Sequence, residues 1–163
     1  MLLFCGVVLL TSCRSTPDSS AVATRCSGVS ILDGNLESRR YTLYIRNSDG
    51  SWFHGGGLAA FNGQAFQPMS VTNEDRQAIA SAMDKAGWLG KGFEPTAGPG
   101  PRFLEISYSG GRRGTAKTRF RLDAVGEAFD PEVEELLEIL EAVVKRGYDE
   151  VLDALPKGRR TDS

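Results

Sequence analysis

The fold of this chain is constrained most by two segments of alternating apolar and polar residues, 103–108 and 116–122, with a glycine-containing turn between them. Alternation with a period of two is typical of a β-strand that buries one face. A turn centred on Arg112 gives both strands one apolar and one polar face in the same register, which predicts an antiparallel hairpin. The facing pairs in that register are Leu104 with Phe120, Ile106 with Thr118, Tyr108 with Ala116, Glu105 with Arg119 and Ser107 with Lys117.

A second hairpin is predicted from residues 41–46 and 52–54, which are rich in strand-forming residues and flank a turn ending at Gly50. A three-residue loop with Gly50 in the left-handed region fixes the register of the two strands. Tyr44 then faces His54, and Ile45 faces Phe53. One face carries Leu43, Ile45 and Phe53, and the other carries Tyr44, Arg46, Trp52 and His54. Upstream, residues 29–32 are predicted as a short strand that ends in a turn at 33–35.

The first helix is predicted to start at a capping box formed by Thr72 and Asp75. Apolar residues follow at helical spacing, and Gly87 is a natural residue to end the helix. Residues 90–101 contain several glycines and prolines, which predicts an exposed loop between this helix and the next strand.

The second helix is predicted to begin with Asp130 as its N-cap and Pro131 in its first turn. Its apolar stripe runs to a basic last turn before Gly147, and residues 148–155 are predicted as one more short helix. The element order is strands, helix, two strands, helix. That order predicts an α+β fold of two layers, with an antiparallel sheet built from hairpins and two main helices.

The N-terminal segment contains a nine-residue apolar run, residues 2–10, which is too short to cross a bilayer because a spanning helix needs about twenty residues. The run ends in Leu10-Thr11-Ser12-Cys13, which resembles the bacterial lipobox. The resemblance implies cleavage before Cys13 and attachment of a diacylglyceryl group to the thiol of Cys13. Two or three acyl chains would hold the mature protein on a membrane essentially permanently.

The lipobox implies a signal peptide over 1–12 and the lipidated Cys13. The small, polar residues after Cys13 predict a flexible spacer over 13–27, which leaves one domain over 28–155 and a disordered basic tail over 156–163. Arg14 follows the cysteine where an aspartate favours inner-membrane retention in enteric-type envelopes. We therefore expect the periplasmic face of the outer membrane. Cys26 is left in the mature chain either as a free thiol or as a partner in an intermolecular disulfide.

The chain lacks the residues that most kinds of binding or catalytic site require. The net charge of −2 does not indicate the basic surface that nucleic-acid binding requires. We expect no cofactor and no metal site, because the chain holds a single histidine and lacks both a calcium loop and a phosphate-binding loop. The run His54-Gly55-Gly56-Gly57 matches the oxyanion loop of lipases. However, the chain has no G-x-S-x-G elbow, so the run is interpreted as a strand end closely approached by another segment.

Two candidate binding surfaces remain. The first is a basic strand face of Lys117, Arg119 and Arg121, which suits anionic lipid or an acidic partner, or is an ordinary solvated face. The second is an aromatic set of Tyr44, Trp52 and His54. It is either exposed as a binding hot spot or covered by the 90–101 loop.

The sequence therefore predicts a membrane-anchored envelope lipoprotein that acts as a binding or structural module and is not an enzyme. A small hydrolase using His54, and an inhibitor or ligand-binding module for a secreted enzyme, are the alternatives. The expected partners are the membrane, through lipid on Cys13, and an envelope protein or anionic lipid. The hairpin around Gly50 and the helix end Ala86-Gly87-Trp88 are also similar to small extracytoplasmic domains of uncharacterised bacterial families, a resemblance that implies no activity.

Overall fold

The computed structural model of the chain describes residues 26–87, 101–110, 117–124 and 128–155. Six strands form a single antiparallel sheet in the order β4-β3-β2-β1-β5-β6, so the predicted α+β class is confirmed. The elements in chain order are β1 (Cys26–Asn35), β2 (Arg40–Arg46), β3 (Trp52–Gly56), α1 (Gly57–Phe61), β4 (Gln67–Pro68), α2 (Asn73–Lys85), β5 (Arg102–Gly110), β6 (Lys117–Asp123) and α3 (Pro131–Ala154).

The main core lies between one face of this sheet and the two longer helices. Ile31 and Ile106, which face each other across β1 and β5, are completely buried in the same cluster as Leu136 and Leu140 of α3. Ile79 of α2 belongs to this cluster as well. The opposite face carries a smaller cluster against the short helix α1, made of Leu32, Tyr41, Leu43, Ala60 and Phe103.

Strand β1 is longer than the sequence predicted. It starts at Cys26, two residues before the predicted domain, and continues through Asn35, so residues 33–35 are paired with β2 and β5 instead of forming a turn. The chain turns after Asn35, whose side-chain oxygen accepts hydrogen bonds from the backbone N–H groups of Glu37 and Ser38. Gly34 is needed inside the strand because a Cβ there would lie 2.4 Å from the ring of Phe103.

The predicted strand register is confirmed in one hairpin and wrong in the other. The predicted β2–β3 register is confirmed, with Tyr44 opposite His54 and Gly50 in the left-handed region at φ 86°. The β5–β6 register was wrong by two residues, because Leu104 faces Leu122 instead of Phe120. A shift of two residues leaves the alternation of positions across the strand pair unchanged, so alternation alone does not distinguish the two registers. The observed pairs are Ile106 with Phe120, Tyr108 with Thr118, Glu105 with Arg121 and Ser107 with Arg119.

The helices follow their predicted start signals. The capping box of Thr72 and Asp75 is present at α2, and Gly87 has a φ of 77° after its last turn. Helix α3 starts with Pro131 in its first turn, but it continues through Gly147 to Ala154 as one helix of 24 residues, so the predicted break is wrong. No helix in the described part of the chain is long and apolar enough to cross a membrane.

Candidate functional site

A cleft of about 820 Å³ lies between the sheet and α3, and we call it the α3 cleft. A volume of this size is in the range of about 300–1,000 Å³ typical of small-molecule sites. The cleft is lined from the sheet side by Asp33, Thr42, Tyr44, His54 and Arg102, from the rim by Gly34, Asn35, Ser38, Arg40, Gly55, Gly56 and Gln67, and from the helix side by Glu134, Leu137, Glu138, Glu141, Val144 and Tyr148.

Strand register explains why these side chains meet. Asp33 of β1 faces Thr42 of β2, and Tyr44 of β2 faces His54 of β3, so all four lie on the sheet face that carries α2 and α3. Along β1, this face changes from the aliphatic Ile31 to the polar Asp33. The packed core therefore gives way to the cleft where the sheet becomes polar.

One end of the cleft is held by an ionic cluster around Arg102. Its guanidinium donates to Glu134 at 2.7 Å and 3.2 Å, donates to Asp33 at 3.4 Å, and lies 4.6 Å from the ring centre of Phe129. The backbone N–H of Phe129 also donates to Glu134 at 2.8 Å. Burial raises the pKa of the Asp33 carboxyl, and the hydrogen bond and charge of Arg102 oppose that rise.

The floor of the cleft carries two buried polar side chains. Tyr44 is 5% exposed and His54 is 8% exposed. Within the described ranges, neither the Tyr44 hydroxyl nor the His54 imidazole has a hydrogen-bond partner. Burial raises the pKa of Tyr44, with smaller contributions from the charges of Asp33 and Glu141, and burial lowers the pKa of His54. The phenol is therefore protonated and the imidazole neutral at pH 7.

The far end of the cleft is aromatic. The rings of His54 and Tyr148 meet edge-on, with their centres 5.7 Å apart and their planes at 81°. The Tyr148 hydroxyl donates to Oε1 of Gln67 at 2.6 Å. A smaller groove lined by Met69, Val143 and other residues continues past this ring pair. The aromatic end therefore offers a flat, partly apolar contact surface.

The helix wall is acidic. Glu138 and Glu141 are exposed on α3, and neither has an ion-pair partner among the residues that the structure describes. Four carboxylates line the cleft against two guanidinium groups, those of Arg40 and Arg102. The cleft therefore carries an excess of negative charge. No group of carboxylate, histidine and cysteine side chains suited to a metal ion occurs in the described ranges.

The predicted aromatic surface is corrected by the structure. Trp52 is 4% exposed and lies in the core cluster with Met69 and Ile79, so an exposed hot spot containing Trp52 is wrong. Its indole N–H has no hydrogen-bond partner in the described part of the chain. Tyr44 and His54 lie beneath α3 and line the cleft. Residues 90–100 of the loop proposed as their cover lie outside the described residues.

The predicted basic face is described only at Arg121. The guanidinium of Arg121 lies 4.2 Å from the ring centre of Phe103 and forms an ion pair with Asp123 at 2.9 Å. Lys117 and Arg119 are residues of β6, and the structure describes their backbone but not their side chains. Cys13, the predicted lipidation site, also lies outside the described residues.

The glycine run after His54 has the predicted structural role. A Cβ on Gly55 would lie 2.5 Å from the backbone oxygen of Gln64, so another segment does approach this glycine closely. Gly57 has a φ of 64° and starts α1, where the chain leaves the sheet. The two glycines therefore serve a tight change of direction at the rim of the cleft.

Sequence reasoning missed the acidic and ionic residues of the cleft. Glu134, Glu138 and Glu141 follow each other at spacings of four and three, which places them along one side of a helix. The same spacing is also that of an ordinary solvated helix face, so it does not by itself indicate a cleft. The partnership of Arg102 with Asp33 joins residues 69 positions apart, and the sequence contains no local sign of it. Comparison with protein-family models, curated proteins and solved structures found no significant match to this chain.

Proposed function

We propose that this protein is a lipid-anchored binding module of the bacterial envelope, held on a membrane through Cys13 and binding its ligand in the α3 cleft. The observation that carries the binding role is the pair of buried, unpartnered polar side chains, Tyr44 and His54, at the floor of a cleft of about 820 Å³. Their polar atoms are open to the cleft, because in the described ranges the indole N–H of Trp52 is the one sealed side-chain atom without a hydrogen-bond partner. A ligand in the cleft can therefore reach both side chains and form hydrogen bonds with them.

The same geometry favours binding over catalysis. Nucleophilic catalysis needs a base within hydrogen-bond reach of a hydroxyl or thiol. The imidazole of His54 has no such partner in the described ranges, and its ring packs at a right angle to the ring of Tyr148. The cleft therefore presents hydrogen-bonding groups and charge without an assembled nucleophile.

The anchor is tested by growing cells with an alkyne-tagged fatty acid and detecting the tag on the purified protein. We expect wild type and Cys26→Ala to carry the label and Cys13→Ala to lose it, because only Cys13 follows the Leu-Thr-Ser motif. Cys26→Ala is the matched control for loss of a thiol. An unlabelled wild-type protein would overturn the anchor. Membrane fractionation then tests the outer-membrane location, with Arg14→Asp expected to shift the protein to the inner membrane.

The binding site is tested by screening small molecules of positive, neutral and negative charge against the purified protein by ligand-observed NMR. A tryptophan at the exposed position 138 would cover the opening of the cleft. We therefore expect Glu138→Trp to abolish binding, while Glu132→Trp, at an exposed position of α3 outside the cleft, retains it. Binding that survives Glu138→Trp, or an absence of binding by every class, would contradict the proposed site.

A hydrolase that uses His54 is the second candidate, because the neutral imidazole lines the same cleft. It predicts slow turnover of a chromogenic ester or amide that His54→Gln abolishes. The binding module predicts hydrolysis at the spontaneous rate for both proteins. Turnover that depends on His54 would replace the binding proposal with a catalytic one.

A further inference from the structure

We propose that the α3 cleft binds an aliphatic ammonium group, either on a small linear amine or on a lysine side chain. The inference rests on the proposed binding function and adds the chemical class of the ligand. Three features of the cleft point to this class: the hydrogen-bonding groups at its floor, the uncompensated charge on its helix wall, and the apolar and aromatic contacts between them.

The floor and the helix wall together favour a hydrogen-bond donor. A neutral imidazole, as at His54, has one nitrogen that accepts, and the hydroxyl of Tyr44 accepts as well as donates. The carboxylates of Glu138 and Glu141 accept only. An ammonium group donates three hydrogen bonds and accepts none, so it complements this set of groups.

The charge of the wall favours a cation. Arg102 forms ion pairs with both Asp33 and Glu134 at one end of the cleft. Glu138 and Glu141 have no such partner among the described residues, and they stand three residues apart on the same side of α3. With Arg40 and Arg102 set against four carboxylates, the lining keeps an excess of negative charge, and Glu141 lies near enough to Tyr44 for its charge to help raise the pKa of that phenol.

The remaining lining favours an alkylammonium over a metal ion. No group of ligands suited to a metal occurs in the described ranges. The aliphatic side chains of Leu137 and Val144 line the helix side, and the ring of Tyr148 stands beyond them. An alkyl chain would pack along these side chains, and an ammonium group is attracted to an aromatic face within about 6 Å.

The inference is tested by isothermal titration calorimetry of the purified protein with 1,5-diaminopentane, with its neutral analogue 1,5-pentanediol, and with a capped Gly-Lys-Gly peptide in free and Nε-acetylated forms. We expect the diamine and the free peptide to bind, and the diol and the acetylated peptide to bind at least about tenfold more weakly, because the charge is lost. Tighter binding of the diamine indicates a small amine as the source. Tighter binding of the peptide indicates a lysine side chain, and either result supports the ammonium site.

Matched charge variants locate the binding. The double variant Glu138→Gln/Glu141→Gln should weaken diamine binding by about tenfold or more, and Tyr44→Phe by a smaller factor. The control Glu132→Gln/Asp149→Asn removes two carboxylates from α3 outside the cleft and should change the affinity by less than about threefold, as expected for surface charge. Equal losses in both double variants would overturn the inference, because the amine would then be responding only to net charge.

The two proposals fail in different ways. Suppose that neutral or anionic molecules are the ones that bind: if Glu138→Trp blocks their binding and the diamine does not bind, the ammonium assignment is wrong. The cleft is then still a binding site. If no molecule of any charge binds in the cleft, the proposed binding function itself is wrong.

Discussion

The sheet face beneath α3 has two regions of opposite character. Where β1 and β5 meet, Ile31 and Ile106 pack in one cluster with Leu136 and Leu140 and are completely buried. Where β2 and β3 meet, the sheet presents Tyr44 and His54, and the same helix borders a cleft. The first region is closed by aliphatic packing against the helix, whereas in the second Tyr44 belongs to the same core cluster and also lines the cleft.

The largest expected effect is in the packed region. Leu140→Ala should lower the free energy of unfolding by about 2–5 kcal/mol, because the completely buried side chain leaves a cavity in a close-packed core. Urea unfolding followed by circular dichroism measures the change. Leu137→Ala, at a position that borders the cleft, should cost less, because the vacated space merges with an existing cavity. Equal losses of unfolding free energy in the two variants would contradict the proposed difference between the packed region and the cleft.

The next largest effect on the free energy of unfolding is expected where the packed region meets the cleft. Arg102→Ala should cost about 1–3 kcal/mol at pH 7, because it leaves the half-buried carboxylates of Asp33 and Glu134 without their cation. The loss should shrink at acidic pH, where the carboxyl group of Asp33, whose pKa burial raises, binds a proton and no longer needs a counter-charge. Lys85→Ala is the control, since the ion pair of Lys85 with Glu135 is exposed on both sides and should contribute little. A loss that does not change with pH would show that Arg102 acts only through packing.

The pH dependence of two aspartates should have opposite signs. Arg146 and the capping-box hydrogen bonds lower the pKa of Asp75 from 3.8 to about 2, so stability falls as pH drops through that interval. The folded-state pKa of Asp33 is raised above 3.8, so stability falls as pH rises from 3.8 through the folded value. Unfolding titrations of Asp75→Asn and Asp33→Asn should each lose one of these slopes. Slopes of the same sign would contradict the assignment.

The smallest effect on stability should be in the cleft. Tyr44→Phe should change the free energy of unfolding by less than about 0.5 kcal/mol, because the hydroxyl it removes has no partner in the described part of the chain. The matched control is Tyr41→Phe on the opposite face of the sheet. Thermal unfolding of both variants measures the change. A large loss for Tyr44→Phe would mean that the hydroxyl supports the fold.

Local signals explain how much of the fold could be predicted. The turn ending at Gly50 is short enough to set the β2–β3 register, and the capping box at Thr72 marks the start of α2. The β5–β6 register was wrong because a shift of two residues preserves both faces. Gly147 was expected to end α3, yet a glycine inside a helix costs only about 1 kcal/mol, and the helix continues through it.

By itself, the sequence determined the α+β class, the faces of both hairpins and the starts of both longer helices, because these depend on periodicity and on caps within a few residues. It also predicts the lipid anchor at Cys13. Only the tertiary structure decided which sheet face lies beneath α3, and therefore that Trp52 is sealed in the core, while Tyr44 of the same core cluster lines a cleft together with His54. That choice depends on contacts between distant segments, such as Arg102 with Asp33, whose energies local pattern does not encode.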